Sequence, residues 1–302
     1  MIVIGSRGSD LALAQTRWIQ KRILKLCPGT EVSIRIIKTT GDKNTTTSIR
    51  TGSSVGVFVK ELEKALLNKE IDLAVHSMKD LPTRIQPGLQ IAAIPEREDV
   101  RDAIILHSVA SFSALSPDSR IGTGSIRRQA QLLAQRPDLQ IVDIRGNINT
   151  RLRKLEEGNY DALVLACAGL NRLNFQSRIA ERLTLEQMLP APGQGALALE
   201  TRSDDGRTIN IASSLNHQKT SIAVRAERAF LKRLEGGCNL PIAVHASIGK
   251  NWIHLDGLVI SPDGKNAIRD SVRDRPETAD EAAVLLADRI LERGGKELLK
   301  GI

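Results

Sequence analysis

The chain has 302 residues, 41% hydrophobic and 26% charged, with 23 glycines, 11 prolines, four Phe, two Trp and one Tyr. At roughly 100 to 200 residues per domain this predicts two or three domains with cores of their own, and no apolar stretch approaches the roughly 18 to 20 residues of a membrane helix. An excess of 43 Lys and Arg over 35 Asp and Glu gives +8, which points to an anionic partner; so few aromatics argue against stacking on nucleic acid, leaving a small polyanion as the expected ligand.

Met1-Ile-Val-Ile-Gly5-Ser-Arg7-Gly8 passes from a strand triplet straight into a Gly/Arg turn, so no secretory signal is expected. Cys27, Cys167 and Cys238 are scattered and form no CxxC pair, which suits a reducing cytoplasm. Strands are expected at Ile2–Ile4, Val32–Thr39, Leu73–His76 and Gln90–Ile94, with helices at Leu11–Cys27 and Val57–Asn68. A second alternating set follows: strands Asp102–Leu106, Arg120–Gly122, Gln140–Ile144 and Ala162–Ala166, helices Ser125–Arg136 and Ile148–Glu157. Such alternation is the signature of parallel or mixed α/β sheets. Two tandem units suggest two lobes and a cleft, with ligands beyond the carboxyl ends of the strands. Ala196–Glu200 reads as a strand returning to the first lobe. The last third predicts a small α+β domain, with helices at Thr220–Leu234 and Thr278–Arg293 flanking strands at Ala243–Ile248, Trp252–Ile260 and Asn266–Val272. The expected domains are 1–97 with 196–217, then 98–195, then 218–302.

Several arginines fall just past predicted strands: Arg7, Arg127 and Arg128 after Gly122-Thr-Gly-Ser125, Arg145, then Arg151, and Arg172. Guanidinium forks bind carboxylates bidentately, and a Gly/Ser/Thr turn opening a helix adds backbone N–H groups. Taken singly, each arginine reads equally well as part of a solvated basic face. No GK[ST] follows Gly122-Thr-Gly124, and the five histidines show no metal-ligand spacing, so neither a nucleotide nor a metal is expected. His76-Ser77-Met-Lys79-Asp80-Leu-Pro82 puts a lysine and a carboxylate at a strand end. A carboxylate among cations suits stabilising a developing positive charge or carrying a proton, although an Asp/Pro turn alone would look the same. Cys238 follows two glycines on a loop and is the candidate for covalent chemistry, against the commoner buried inert thiol that Cys27 and Cys167 resemble.

The ordered set Gly5-Ser-Arg-Gly-Ser9, Thr39-Thr-Gly-Asp42, Phe58-Val-Lys-Glu-Leu-Glu63, His76-Ser-Met-Lys-Asp80, Gly122-Thr-Gly-Ser-Ile-Arg-Arg-Gln129, Arg145-Gly-Asn147, Thr150-Arg-Leu152, Pro192-Gly-Gln-Gly195 and Glu235-Gly-Gly-Cys238 resembles the porphobilinogen deaminase family nearly end to end. The resemblance implies two α/β domains like those of periplasmic binding proteins flanking a cleft, plus a small C-terminal α+β domain. It implies a monomer with porphobilinogen as substrate, and with neither nucleic acid nor membrane as a partner. Four porphobilinogen molecules are joined head to tail into hydroxymethylbilane with loss of ammonia, on a dipyrromethane cofactor held by a thioether to the cysteine matching Cys238. Asp80 matches the catalytic aspartate. Lys79, Ser77, Arg127, Arg128, Asp42, Thr123, Ser125 and Arg145 match cofactor contacts, and Arg7, Ser9, Arg145, Arg151 and Arg172 match substrate contacts. A growing polypyrrole is a polyanion, so one Asp among many Arg suits it. Two positions depart from the family pattern: Val55 stands where a loop lysine is common, and Gly124 where a serine is. The segment Asp42–Gly56, poor in large apolar residues, is expected to act as a lid in which Lys43 and Arg50 supply cations. The competing reading is a non-catalytic polycarboxylate-binding protein on the same two-lobed scaffold, which leaves Cys238 and the third domain unexplained.

Overall fold

A computed structural model describes residues 1–37, 59–109, 111–235 and 240–300. Their contacts form two compact units: Met1–Glu98 with Ala196–Ser221, and Asp99–Gly195 with Ile222–Ile302.

The first unit is a five-stranded mixed sheet of β1 (Ile2–Ser6), β2 (Val32–Ile36), β3 (Leu73–Ser77), β4 (Leu89–Ala93) and β10 (Leu197–Arg202), ordered β2-β1-β3-β10-β4. β1 is parallel to β2 and β3, while β10 is antiparallel to β3 and β4. Side chains of a strand alternate between its faces, and both faces here are covered. Ile2, Ile4, Leu73 and Val75 pack with Ile19 and Ile23 of the helix Asp10–Leu26, whereas Ala74 packs with Leu62, Ala65 and Leu66 of the helix Lys60–Leu67. Each such Ile or Leu contributes about 1.5–3 kcal/mol when fully buried.

The second unit repeats the pattern with β5 (Asp102–Leu106), β6 (Arg120–Gly122), β7 (Gln140–Val142), β8 (Ala162–Ala166) and β9 (Glu181–Arg182), ordered β7-β6-β8-β5-β9. β6 is parallel to β7 and β8, and β5 is antiparallel to β8 and β9. Leu163 and Leu165 enter one core with Leu152 and Leu155, while Ala162 and Val164 enter the other with Leu132 and Met188. In each sheet the antiparallel strand, fourth in order, follows directly where the chain changes unit, β5 after residue 98 and β10 after residue 195.

The same unit holds an antiparallel sheet of β11 (Ile242–Ile248), β12 (Ile253–Ile260) and β13 (Ala267–Asp274), in that order. The helices Gln218–Arg233 and Ala279–Ile290 cover it, Phe230, Ala283 and Leu286 packing on Val244, Leu255 and Val259. Its β12–β13 turn lies against the helix Ile126–Gln135. A Cβ on Gly264, whose φ is +75°, would stand 2.5 Å from the Ala134 nitrogen and 2.6 Å from the Ala130 carbonyl oxygen. Gly264→Ala is therefore expected to destabilise the protein by about 2–4 kcal/mol, from backbone strain and overlap with backbone that cannot rotate aside. Chemical denaturation followed by circular dichroism measures this, and an unchanged midpoint would refute the close approach.

The structure departs from the sequence expectation at several places, among them the expected strand Val32–Thr39, which ends at Ile36, and the unexpected short strand Glu181–Arg182 and helix Lys296–Lys300. Cys167 does not continue β8 but opens the helix Cys167–Arg172; an apolar run has no period that separates a buried strand from a buried helix turn. The expected strand Gln140–Ile144 stops at Val142, where the Asp143 carbonyl accepts from Tyr160 Oη at 3.1 Å instead of a ladder partner. A further helix, Gly206–Ser213, has no counterpart in the expectation because Asp204-Asp205-Gly206 reads as turn punctuation. Asp205 in fact caps it, Oδ1 accepting from the Thr208 amide at 3.0 Å. No helix of the described residues is long and apolar enough to cross a membrane.

Candidate active site

In the first unit β1 and β3 run side by side and parallel, Ile4 opposite Leu73, so the chain leaves both at the same sheet edge. β1 runs into Arg7 and β3 into the single 3-10 turn Met78–Asp80. That turn is fastened from inside. Met78 and Leu81 are buried, the Met78 amide donates to the Ala196 carbonyl at 3.0 Å, and the Leu81 amide donates to the Met78 carbonyl at 3.1 Å. With its apolar neighbours held, Asp80 stands exposed and Lys79 half-buried beside it. Ser77 Oγ accepts from Gln15 Nε2 at 2.9 Å. Ser9 is the N-cap of the helix Asp10–Leu26, its Oγ accepting from the Ala12 amide at 3.4 Å, so its hydroxyl serves the helix. Behind the turn His76 Nε2 and Glu200 Oε2 lie 3.0 Å apart, both buried.

In the second unit β6, β7 and β8 are parallel, and Asp102 at the amino end of β5 faces Ala166 of β8, which brings these strand ends to one edge. Here the structure places Arg127 and Arg128, and it turns inward the forks expected to face a ligand. Both are buried around the fully buried Asp102. Arg127 Nη2 donates to Asp102 Oδ2 at 2.8 Å and Nη1 to the Leu189 carbonyl at 2.7 Å. Arg128 donates from Nε at 3.0 Å and Nη2 at 2.7 Å to Asp102 Oδ1, and from Nη1 to the Val164 carbonyl at 3.0 Å. Burial by itself would raise the Asp102 carboxyl; the two guanidinium charges outweigh it and hold that carboxyl far below the usual carboxylate range. Because folding lowers it, its charge contributes stability above the unfolded value of about 3.9 and loses it only as pH falls through the lower folded value. Asp102 therefore keeps its charge across neutral pH.

Two guanidiniums against one carboxylate leave a buried surplus of positive charge. Arg127 Nε is buried with no hydrogen-bond partner among the described residues. Arg151, half-buried, donates from Nε to the Gly146 carbonyl at 2.9 Å; burial, and then the like charge of Arg128, bring its guanidinium down to about 10. Arg172 Nη2 donates to the Gly195 carbonyl at 2.6 Å. Arg145 is exposed and paired with Asp143 at 3.0 Å, a surface pair that adds little stability. Thr123 is buried and its Oγ1 accepts from the Ser125 amide at 3.2 Å, while Ser125 opens the helix of the arginine pair. Gly124 has a local cause as well, since a Cβ there would lie 3.1 Å from Asp143 Oδ1 and 3.2 Å from the Ile144 carbonyl oxygen. Asp42 and Cys238, and the expected lid with Lys43, Arg50 and Val55, lie outside the described residues.

Sequence reasoning missed Asp102 and Gln194. The signal was present as a lone carboxylate opening the apolar run Asp102-Ala-Ile-Ile-Leu106, and as the one polar side chain of Pro192-Gly-Gln-Gly195. Since Arg128 holds Asp102 and the Val164 carbonyl with three of its five N–H groups and has two left for a ligand, an ammonium with three donors cannot replace it. Arg128→Lys should lower stability by about 1–3 kcal/mol and weaken substrate binding. Thermal unfolding and steady-state kinetics matching the parent on both counts would place Arg128 on a solvated face instead.

The second unit thus buries surplus positive charge at its strand ends, and the first presents an exposed aspartate at its own. A family model described as porphobilinogen deaminase, dipyromethane cofactor binding domain, matches residues 2–210, and one described as porphobilinogen deaminase, C-terminal domain, matches residues 221–292. The porphobilinogen deaminase of Trichlorobacter lovleyi is 48% identical over 299 residues, covering 99% of this chain and 96% of that protein. That of Thermus thermophilus is 45% identical over 303 residues, covering 100% and 99%. The chain belongs to the porphobilinogen deaminase family. Among solved structures the methionine binding protein MetQ aligns with 71% of this chain and 89% of that one, at 12% identity and a TM-score of 0.47, a likeness too distant to bear on the site. The dipyrromethane cofactor of the family fits the residues present: its carboxylates answer the surplus charge at Arg127, Arg128 and Arg151 and the unpartnered Arg127 Nε.

Proposed function

We propose that this chain performs the family's reaction, joining four porphobilinogen molecules into hydroxymethylbilane with release of ammonia, with Asp80 as its catalytic carboxylate and the second-unit arginines as its carboxylate clamps. The observation that carries the reading is the surplus of buried positive charge around Asp102, which a polycarboxylate offsets. The bound dipyrromethane supplies the free pyrrole α-carbon from which the chain grows. The protein's own residues hold and move charge. Asp80, fixed by the buried Met78 and Leu81, keeps a negative charge beside the pyrrole N–H of the substrate as ammonia departs, and takes or returns a proton there. Arg127, Arg128 and Arg151 orient acetate and propionate groups so that the reacting carbons meet, which replaces a random encounter by a positioned one.

The finer features belong to the same proposal: Ser77, Lys79, Asp42, Thr123, Ser125 and Arg145 toward the cofactor, and Arg7, Ser9, Arg145, Arg151 and Arg172 toward the substrate. So do the thioether at Cys238, the domain boundaries 1–97 with 196–217, 98–195 and 218–302, and a cytoplasmic monomer without nucleic-acid or membrane partners. The test is incubation of the purified chain with porphobilinogen, following ammonia and hydroxymethylbilane together. Ammonia and product forming in a ratio of four to one supports the reading. Binding of porphobilinogen without ammonia release would restore the binding-protein alternative.

A further inference from the structure

Neither Asp102 nor Gln194 belongs to the residues that the family resemblance assigns, yet the geometry of the arginine pair depends on both. Asp102 receives Arg127, Arg128 and Gln194 at once, Gln194 Nε2 donating to Oδ1 at 3.0 Å and to the Val100 carbonyl at 2.8 Å. Gln194 is itself fully buried, and its segment is fastened on either side. The Gly193 amide donates to the buried Glu227 Oε2 at 2.7 Å, and the Gly195 carbonyl accepts from Arg172.

We propose that Asp102, held by Gln194, is the positioning residue of the arginine clamp: it fixes both guanidiniums in one geometry and sets the charge they offer an incoming carboxylate at one rather than two. Two unpaired guanidiniums this close would repel and each would seek its own partner, so the clamp would be neither rigid nor of defined charge. A single carboxylate with four lone-pair sites accepts from both arginines and still takes the Gln194 amide, which stops it from rotating toward one of them. Preorganised donors bind a developing or incoming anion without reorganising when it arrives. Gln194 therefore acts on the ligand only through Asp102 and the arginines.

The inference rests on the arginines being ligand clamps, and its test separates the two readings. Gln194→Leu in the cofactor-loaded full chain removes the anchor while leaving every charge in place. The Michaelis constant for porphobilinogen should rise about 5- to 20-fold, the range of one charge-assisted hydrogen bond, with the maximal rate within about twofold of the parent. In an Arg128→Lys background the same change should add little, because coupled residues are not additive. Gln194→Met keeps the side-chain length, sets no second carboxylate against Asp102 and removes only the amide donor, so it should raise the Michaelis constant over the same range. This second variant serves if Gln194→Leu does not fold. An equal effect of Gln194→Leu in both backgrounds, or a lowered melting temperature with the Michaelis constant unmoved, would reduce Gln194 to a packing role and overturn the proposal. Arg128→Lys with the parent's Michaelis constant and covalent adduct would instead refute the clamp reading, and the proposal with it.

Discussion

Asp80→Asn is expected to fold, to carry the covalent cofactor, and to lose about 100- to 10,000-fold in turnover, the usual worth of a positioned acid or base. The fold is safe because the turn Met78–Asp80 is fastened by the buried Met78 and Leu81 and by the amide of Met78 on the Ala196 carbonyl, none of which involves the exposed carboxylate. Asparagine has the same outline but neither negative charge nor a titratable oxygen. It can accept a hydrogen bond from a pyrrole N–H in the ground state, yet it cannot oppose the positive charge that forms as ammonia leaves. The loss should therefore fall on the maximal rate, with the Michaelis constant little changed, since an interaction made only in the transition state lowers both turnover and its ratio to the Michaelis constant. Turnover within threefold of the parent would assign the work to another group.

Much of this was legible in the sequence, and the part that was not has a common physical cause. β5, β6 and β8 fall at the residues where strand-like runs begin and end, because short apolar runs bounded by Gly, Asp and Arg leave little choice of limits. Arg7 and Asp80 in the first unit, and Arg127 and Arg172 in the second, were legible for the same reason: strand ends can be read, and within each sheet parallel neighbours end at the same edge. What could not be read is which polar groups meet. Asp102 and Gln194 are 92 positions apart and Glu227 reaches Gly193 across 34, pairings that exist only once β5 lies beside β8 and the helix Gln218–Arg233 beside the Pro192–Gly195 segment. The inward turn of Arg127 and Arg128 follows from those same pairings. A basic residue after a strand says that positive charge is needed at that edge, and only the folded partner says how much of it is already used.

Cys238→Ala should yield a folded protein with no adduct and no measurable turnover, because in the proposed reaction every substrate unit is added to a chain anchored at one sulfur. The other two thiols are poor substitutes. Cys167 is fully buried at the start of its helix, and burial, reinforced by the charges of Asp99 and Asp102, pushes its thiol up to about 12. At neutral pH it therefore keeps its proton, and the thiolate is the reacting form. Cys27 terminates the helix Asp10–Leu26, its amide bonded to the Ile23 carbonyl and its Sγ 3.9 Å from Ser214 Oγ, on a part of the first unit that carries none of the clamp arginines. Intact mass of the parent should exceed the sequence mass by two linked pyrrole units, and the excess should vanish in Cys238→Ala while persisting in Cys27→Ala and Cys167→Ala. Peptide mapping then locates the added mass. Retention of the adduct in Cys238→Ala would move the attachment to another residue, while an adduct lost with turnover retained would mean that the growing chain needs no covalent tether, leaving the arginines alone to hold it.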